Sequence, residues 1–461
     1  MTDPPRSTQH RMKYHAALFA LSLLILLPLD AQSQVLNQQV NALLANNCAG
    51  LGTGGFPTPN LAGLGPNLAA LCNTPQTQGA TSGGGGAASV QGSAVSILNT
   101  ALLKRMEQLQ AEEEEGGEKP EKPTSMRFNP LGLLGAAALQ NLSVSSPFYA
   151  TTSAQGGSSA SFATSSQDRW KGLGFFATGQ LQALNRNVGS FQDGYDSTIY
   201  GVTVGTDYRL NNRAVVGIAG NYANTDGSFT GGGTFSTNSY TGLAFASIQP
   251  TDNTFIQLTA GYTRNNYLVN RIATALVTSV APGNDRSVVG SASSNSNGNV
   301  INGGILTGYD HSFGRFTLGP RLGVNYTNTH ISSYSENGST GIELQYNDQY
   351  INSLQSLVGI YGSAAFSTQK AVLVPQFNAD YIHEFANSQR FINVQFVEDQ
   401  RANPTRFAFQ NDVPVRNYFN VGTGLLAIFP NGWQAFANFR AMVGNNQFDN
   451  YVGTVGLRIE N

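Results

Sequence analysis

From Trp170 to the end of the chain, apolar and polar residues alternate in short runs, each closed by a turn signal. In the run ending at Leu210, Tyr200, Val202, Val204, Tyr208 and Leu210 share one face, and Thr203, Asp207 and Arg209 share the other. Ile256, Leu258, Ala260 and Tyr262 oppose Gln257, Thr259 and Thr263; Leu322, Val324 and Tyr326 oppose Gly323, Asn325 and Thr327. At the end, Tyr451, Val455, Leu457 and Ile459 oppose Thr454, Arg458 and Glu460. This period predicts twelve strands, over 171–184, 197–210, 213–225, 236–249, 253–268, 299–313, 315–330, 350–367, 371–386, 415–429, 433–444 and 450–460.

The connections alternate in length. Tight ones fall at Asn211-Asn212, "QPTDN", "FGR", "STQK" and "PNG". Longer polar ones fall at 185–196, 226–235, 269–298, 331–349 and 387–414, with a short exception at 445–449. A soluble sandwich also alternates apolar and polar positions, but nothing makes it sort its loops by end. An outer-membrane barrel does sort them, with short periplasmic turns, long outer loops and an even strand number. The stretch "STQKAVLVPQFNADYIHEF" then has a simple reading. Gln376, Asn378 and Asp380 face a polar lumen, and Phe377 and Tyr381 face lipid. The fold class expected is all-β, a twelve-stranded antiparallel transmembrane barrel behind a short N-terminal region that is partly helical and partly disordered.

Composition agrees with a barrel. The chain has 461 residues, a formal charge of −2 and 11% charged residues, against about 25% in ordinary soluble domains. Near-neutral balance argues against nucleic acid as a partner, and no cofactor is implied. Lys370 is the only lysine after Lys171 and sits in a tight turn, hence on the periplasmic side. Near the start, Lys13 and His15 precede an apolar run from Ala16 to Leu29, and Ala31-Gln32-Ser33 offers small residues for cleavage. Residues 1–33 therefore read as an export signal, with Met12 a possible true start and an anchor helix the alternative.

Residues 34–92 hold short helical patterns, the linker "TSGGGGAAS" and the only two cysteines, Cys48 and Cys72. Export into an oxidising compartment makes them a disulfide candidate, against two free thiols. Over 93–125, Val95, Leu98, Leu102, Met106 and Leu109 recur at helical spacing before the solvated tract "EEEEGGEKPEKP". Arg105 interrupts a second heptad, which favours a docked or solvated helix over a coiled coil. Residues 126–169 form a Gly/Ala/Leu and then Ser-rich segment ahead of the barrel at 170–461.

No nucleophile-elbow motif occurs. Asp310, His311 and Ser312 have the residue types of a triad, but neighbours on a strand point to opposite faces. His383-Glu384 reads as rim packing at a strand end, and the five histidines and two cysteines show no metal-ligand spacing. Asp207, Arg321, Asp380, Arg440, Arg458 and Glu460 are candidate lumen charges, either pairing with a plug segment or lining a solvated wall.

Motifs in the last third carry a family resemblance. "YSENGSTGIELQYNDQYINSLQSLVG" supplies Tyr334, Glu336, Gly338, Leu344, Ser353, Leu354, Ser356 and Gly359. "VPQFNADYIHEF" supplies Pro375, Tyr381, His383, Glu384 and Phe385, and "YVGTVGLR" contains Gly456. In this order they resemble the translocator domain of autotransporters (type V secretion), over about 170–461. The resemblance implies a monomeric barrel in outer-membrane lipid of a Gram-negative bacterium, reached through the general secretion and barrel-assembly machineries, with the preceding segment threaded through the pore. The chain ends Arg458-Ile459-Glu460-Asn461 where that family usually ends in an aromatic residue, and 34–169 lacks the repeats of a long β-helical passenger. Two further readings stay open: a passive porin-like barrel with a periplasmic N-terminal domain, and an adhesin acting through loops 269–298 and 387–414.

Overall fold

Twelve long antiparallel strands, each paired with the next in sequence, close on themselves in the computed structural model. It describes residues 63–72, 127–130 and 148–151, and 173–460 apart from 190–193, 212, 278–285, 387, 389 and 431–432. The barrel strands are β1 Leu173–Arg186, β2 Tyr195–Asn211, β3 Ala214–Phe229, β4 Gly233–Thr251, β5 Thr254–Val277 and β6 Arg286–Tyr309. They continue as β7 Phe316–Ile331, β8 Gln349–Ala364, β9 Val372–Glu384, β10 Asn417–Ile428, β11 Trp433–Val443 and β12 Phe448–Glu460. β12 returns to β1 in register, from Phe448 opposite Arg186 to Glu460 opposite Gly174, so the main sheet has no free side. A separate ribbon pairs Arg127–Pro130 with Phe148–Thr151.

The alternation that predicts the strands also fixes their faces. On β9, Gln376, Asn378 and Asp380 are buried, whereas Phe377 and Tyr381 are exposed. On β2, Thr203 and Asp207 are buried, and Tyr200, Val202, Val204, Tyr208 and Leu210 are exposed. An outer surface of this kind is stable only against hydrocarbon. Aromatic rings mark both of its rims. Tyr222, Tyr240, Tyr262, Tyr326, Tyr381 and Phe419 lie toward the long loops; Tyr208, Tyr309, Phe313, Phe316, Phe366 and Trp433 lie toward the short turns. Such rings suit the boundary between hydrocarbon and headgroups. Gly314 turns the tight β6–β7 connection at φ +64°, a conformation that favours glycine.

The inner face is layered, which the strand pattern alone does not reveal. Phe176, Phe255, Tyr361, Val374, Leu426 and Phe436 are buried toward the short turns; Leu184, Tyr195, Ile199, Ile382, Tyr418 and Phe448 are buried toward the long loops. Between them lies a belt of Thr, Asn, Gln and Ser, including Gln180, Thr203, Asn221, Thr263, Asn325 and Thr454.

Two expected long loops are instead strand. The stretch 269–298 continues the hairpin, since β5 runs to Val277 and β6 starts at Arg286, with Val277 opposite Arg286. Its Ser- and Asn-rich second half, 286–298, gives little apolar alternation, because this part of the ribbon extends beyond the rim rings and has no lipid to face. Likewise 226–235 reduces to a turn after Phe229, with β4 resuming at Gly233. The expected loops 331–349 and 387–414 do leave the barrel, yet they carry short strands of their own. Tyr334–Asn337, Leu344–Tyr346, Phe391–Phe396 and Phe407–Gln410 pair in that order as an antiparallel sheet at the long-loop end.

Placing a cation on the outer face tests this orientation. Val204→Arg should destabilise the barrel by about 2–4 kcal/mol in lipid vesicles, measured by denaturant unfolding. Thr203→Ser, one residue away on the inner face, should change it by less than about 1 kcal/mol.

Candidate functional site

Two features of the barrel bear on function: a charged cluster inside it and the loop layer over its long-loop end. Inside, Arg321 on β7 and Asp380 on β9 are fully buried and form a two-pronged ion pair, with Arg321 Nε donating to Asp380 Oδ1 at 2.7 Å. Asn378 Nδ2 donates to the same carboxylate at 2.5 Å, and Arg440 on β11 is buried within its electrostatic reach. Gly359 on β8 is required here, because a Cβ at that position would run into Asp380 Oδ1. Nearer the short turns, Arg458 and Asp207 are both buried, 3.8 Å apart. Glu460 ends β12 opposite Gly174; its side chain is outside the described residues. The Arg321–Asp380 pair meets the requirement that a buried charge be paired and hydrogen-bonded.

The first family motif begins in the loop layer, with Tyr334, Glu336, Gly338 and Leu344, and runs on into β8. Arg271, on the part of β5 beyond the rim, donates through Nε to Glu336 Oε1 at 2.9 Å and pairs with Glu336 Oε2 at 2.5 Å. Glu336 also accepts from the Leu344 backbone N–H at 2.9 Å, so one carboxylate ties the barrel hairpin to both short strands of the loop. Burial opposes the charge on Arg271, but the attraction and hydrogen bonds of Glu336 outweigh it and raise its pKa. Tyr334 and Tyr346 stack with ring centroids 4.6 Å apart beside this pair. Burial, reinforced by the Glu336 charge, raises the pKa of both phenols. Gly338 leaves room for Glu343, whose carboxylate accepts from the Thr340 N–H at 2.7 Å and the Gly341 N–H at 2.8 Å.

The second motif lies along β9. Pro375 and Tyr381 face outward, and Tyr381 donates to Asn417 Oδ1 at 2.6 Å. His383 Nδ1 lies 2.7 Å from the same Asn417 oxygen, and its ring meets that of Phe385 edge-on. Glu384 is buried and accepts from the backbone N–H groups of Leu354 and Ala386, each at 3.0 Å. It therefore anchors the strand end to β8. Gly456 on β12 accommodates the Phe436 ring, which a Cβ there would strike. Asp310 is buried and bonded to the Tyr361 hydroxyl, whereas His311 is exposed. No cluster of metal-ligating side chains occurs among the described residues.

A segment far upstream completes the loop layer. Leu64 bridges antiparallel to Asp399, with Gly65 N–H donating to the Glu398 carbonyl and Gln400 N–H to the Gly63 carbonyl, both at 2.7 Å. A short helix, α1 (Pro66–Cys72), follows. The Glu398 carboxylate accepts from Leu68 N–H at 2.7 Å and from Asn67 Nδ2 at 2.9 Å. Leu68 is fully buried. Asp399 pairs with Arg401 at 2.6 Å and accepts from Thr405 N–H at 2.8 Å, which holds the receiving turn. Neither Glu398 nor Arg271 stands out in the sequence, because their partners lie more than 60 residues away.

Among known proteins, the autotransporter β-domain family model matches residues 175–440, more than half of the chain. The chain belongs to the autotransporter β-domain family. Outer membrane protein A of Rickettsia conorii is 25% identical over 240 residues, covering 51% of this chain and 11% of that protein. Esterase EstA of Pseudomonas aeruginosa is 26% identical over 223 residues, covering 47% of this chain and 31% of the esterase. The chain thus spans a small part of each relative's length. Two solved structures have a similar barrel. The translocator domain of autotransporter NalP from Neisseria meningitidis has 18% identity and a TM-score of 0.48, covering 62% of this chain and 88% of that one. The transport unit of autotransporter AIDA-I from Escherichia coli has 16% identity and a TM-score of 0.42, covering 65% and 94%. The autotransporter barrel lies in the Gram-negative outer membrane, and its short turns face the periplasm.

The loop layer of this autotransporter should be the part that fails first. Glu336→Ala leaves Arg271 buried without its carboxylate and should cost about 3–5 kcal/mol locally. Limited proteolysis should then cut between 332 and 348, while the barrel keeps its resistance to unfolding in detergent. Acid should loosen the same layer. Burial tends to raise the pKa values of Glu343 and Asp399, but hydrogen bonds from Thr340 to one and from Arg401 to the other prevail and lower them below the ordinary 4.5 and 3.8. Their contribution to stability is complete above those ordinary values and is lost as pH falls through the depressed ones. Loop proteolysis by an acid-active protease should therefore rise as pH drops below about 4, the lower edge of the ordinary carboxylate range.

Proposed function

We propose that the barrel carries the chain's own N-terminal region across the outer membrane and holds it at the cell surface. The placement of Gly63–Cys72 against the long-loop end supports this. β1 begins at the opposite end, where Leu173 pairs with Tyr208 and Gly174 with Glu460. The chain between 72 and 173 then passes, on this reading, from the outer end to the periplasmic end through the lumen. On this reading residues 1–33 direct export through the general secretion machinery, the barrel-assembly machinery inserts 170–461 as a monomer in outer-membrane lipid, and 126–169 is the threading segment. Cys48, outside the described residues, and Cys72, the last residue of α1, form the disulfide of the exported part. We read the chain as non-enzymatic. The sequence lacks a nucleophile elbow, and Asp310 and His311 face opposite sides of the wall, so the activity named for Esterase EstA is not carried over.

An epitope tag placed near Gly83 tests the export reading. Antibody labelling of intact cells is the expected outcome. Labelling only after permeabilisation would overturn it in favour of a porin-like barrel with a periplasmic domain.

A further inference from the structure

The contact between residues 63–72 and the loop layer is more specific than a chain emerging from a pore requires. It joins backbone to backbone through Leu64 and Asp399, with the Gly65 N–H and Gly63 carbonyl each bonded across the bridge. It adds a charged acceptor, Glu398, that holds Leu68 N–H and Asn67 Nδ2 together, and it buries Leu68 completely. Both wandering loops take part. Loop 387–414 supplies Glu398 to Arg401, and loop 331–349 supplies Gly341, whose missing Cβ makes room for the Asn67 and Leu68 backbone. Two glycines are needed for conformation as well as space: Gly63 has φ +87° and packs on Arg401, and Gly341 has φ +82°. A backbone bridge, a charge-assisted pair of hydrogen bonds and a buried leucine make a complete small interface.

We infer that the face formed by Val397–Arg401 and Gly341 is a built docking site for this chain's own residues 63–72, able to retain the N-terminal region at the barrel mouth after the connecting chain is cut. The occupant is the segment already seated there. The acidic linker that the sequence places between the two, "EEEEGGEKPEKP", offers a place where cutting would sever the covalent link. The clasp then turns a cleaved N-terminal fragment from a released product into a subunit held without a covalent bond. This inference rests on the export reading for its biological side of the membrane, but not for the contact itself.

The test uses the full chain, purified in detergent, with a specific protease site inserted between Gly116 and Gly117. After cleavage under reducing conditions, the N-terminal fragment should co-elute with the barrel on size exclusion. Glu398→Ala removes both charge-assisted bonds and Leu68→Ala opens the buried contact. Each should speed fragment release at least about tenfold. Glu398→Gln, which can still accept one hydrogen bond, should lie between the wild type and Glu398→Ala. Barrel integrity in each variant is read separately from the heat-dependent gel shift, so a misfolded barrel is recognised. Immediate loss of the fragment from the wild-type barrel, or release at the same rate in all four proteins, would overturn the inference. Retention in detergent together with a negative result in the intact-cell labelling above would keep the clasp and discard the export reading.

Discussion

Inside hydrocarbon no water is available for an unpaired backbone N–H or C=O, and the closure of the barrel follows from that. The pairing of β12 with β1, Phe448 to Arg186 and Glu460 to Gly174, removes the last open edge. Closure forces alternate side chains into two environments. Val202, Phe377 and Leu457 face lipid where a soluble protein would bury them, and Thr203, Asn378 and Arg458 are buried where it would expose them. The absence of long apolar runs from Trp170 onward follows from the same division, because each strand carries half of its residues to each side.

A closed wall has an inside to fill, and here the filling is graded. Apolar side chains crowd both ends of the inner face, and hydroxyl and amide groups form the belt between them. The ion pair of Arg321 and Asp380 reaches across the intervening strand β8, with Asn378 adding a further donor. Burying either partner alone would be costly. The glycine at 359 shows that the backbone itself is fitted to the Asp380 carboxylate. The inner wall is therefore a structure in its own right, on which a threaded segment would be superimposed.

At the long-loop end the lipid constraint ends and ordinary soluble-protein rules return. There the loops fold into a small antiparallel sheet, pinned to the barrel by Glu336 and Arg271 and to the upstream segment by Glu398. The motif glycine Gly338 and motif glutamate Glu336 act in this layer, while Pro375 and Tyr381 act on the outer wall and Gly456 in the strand packing. The shared vocabulary of the family is thus spread over three mechanical jobs.

The sequence by itself determined the number of strands, their faces and the tight turns at one end of the barrel. Each depends on a local signal of period two or on a turn residue, and lipid on one side keeps that signal strong. The signal fades where lipid does. The Ser- and Asn-rich stretch 286–298 reads as loop, yet it is strand because β5 pairs with it along its whole length. The inward direction of Asp380 was legible from its neighbours Phe377 and Tyr381, but its pairing with Arg321 was not, since the two are 59 residues apart. Tertiary structure alone decided which charges meet, that the loops build a sheet, and that Leu68 ends buried beside Glu398, 330 residues downstream. Pattern records the medium each side chain faces; which side chains meet across the fold depends on closure, and closure is not written in any one segment.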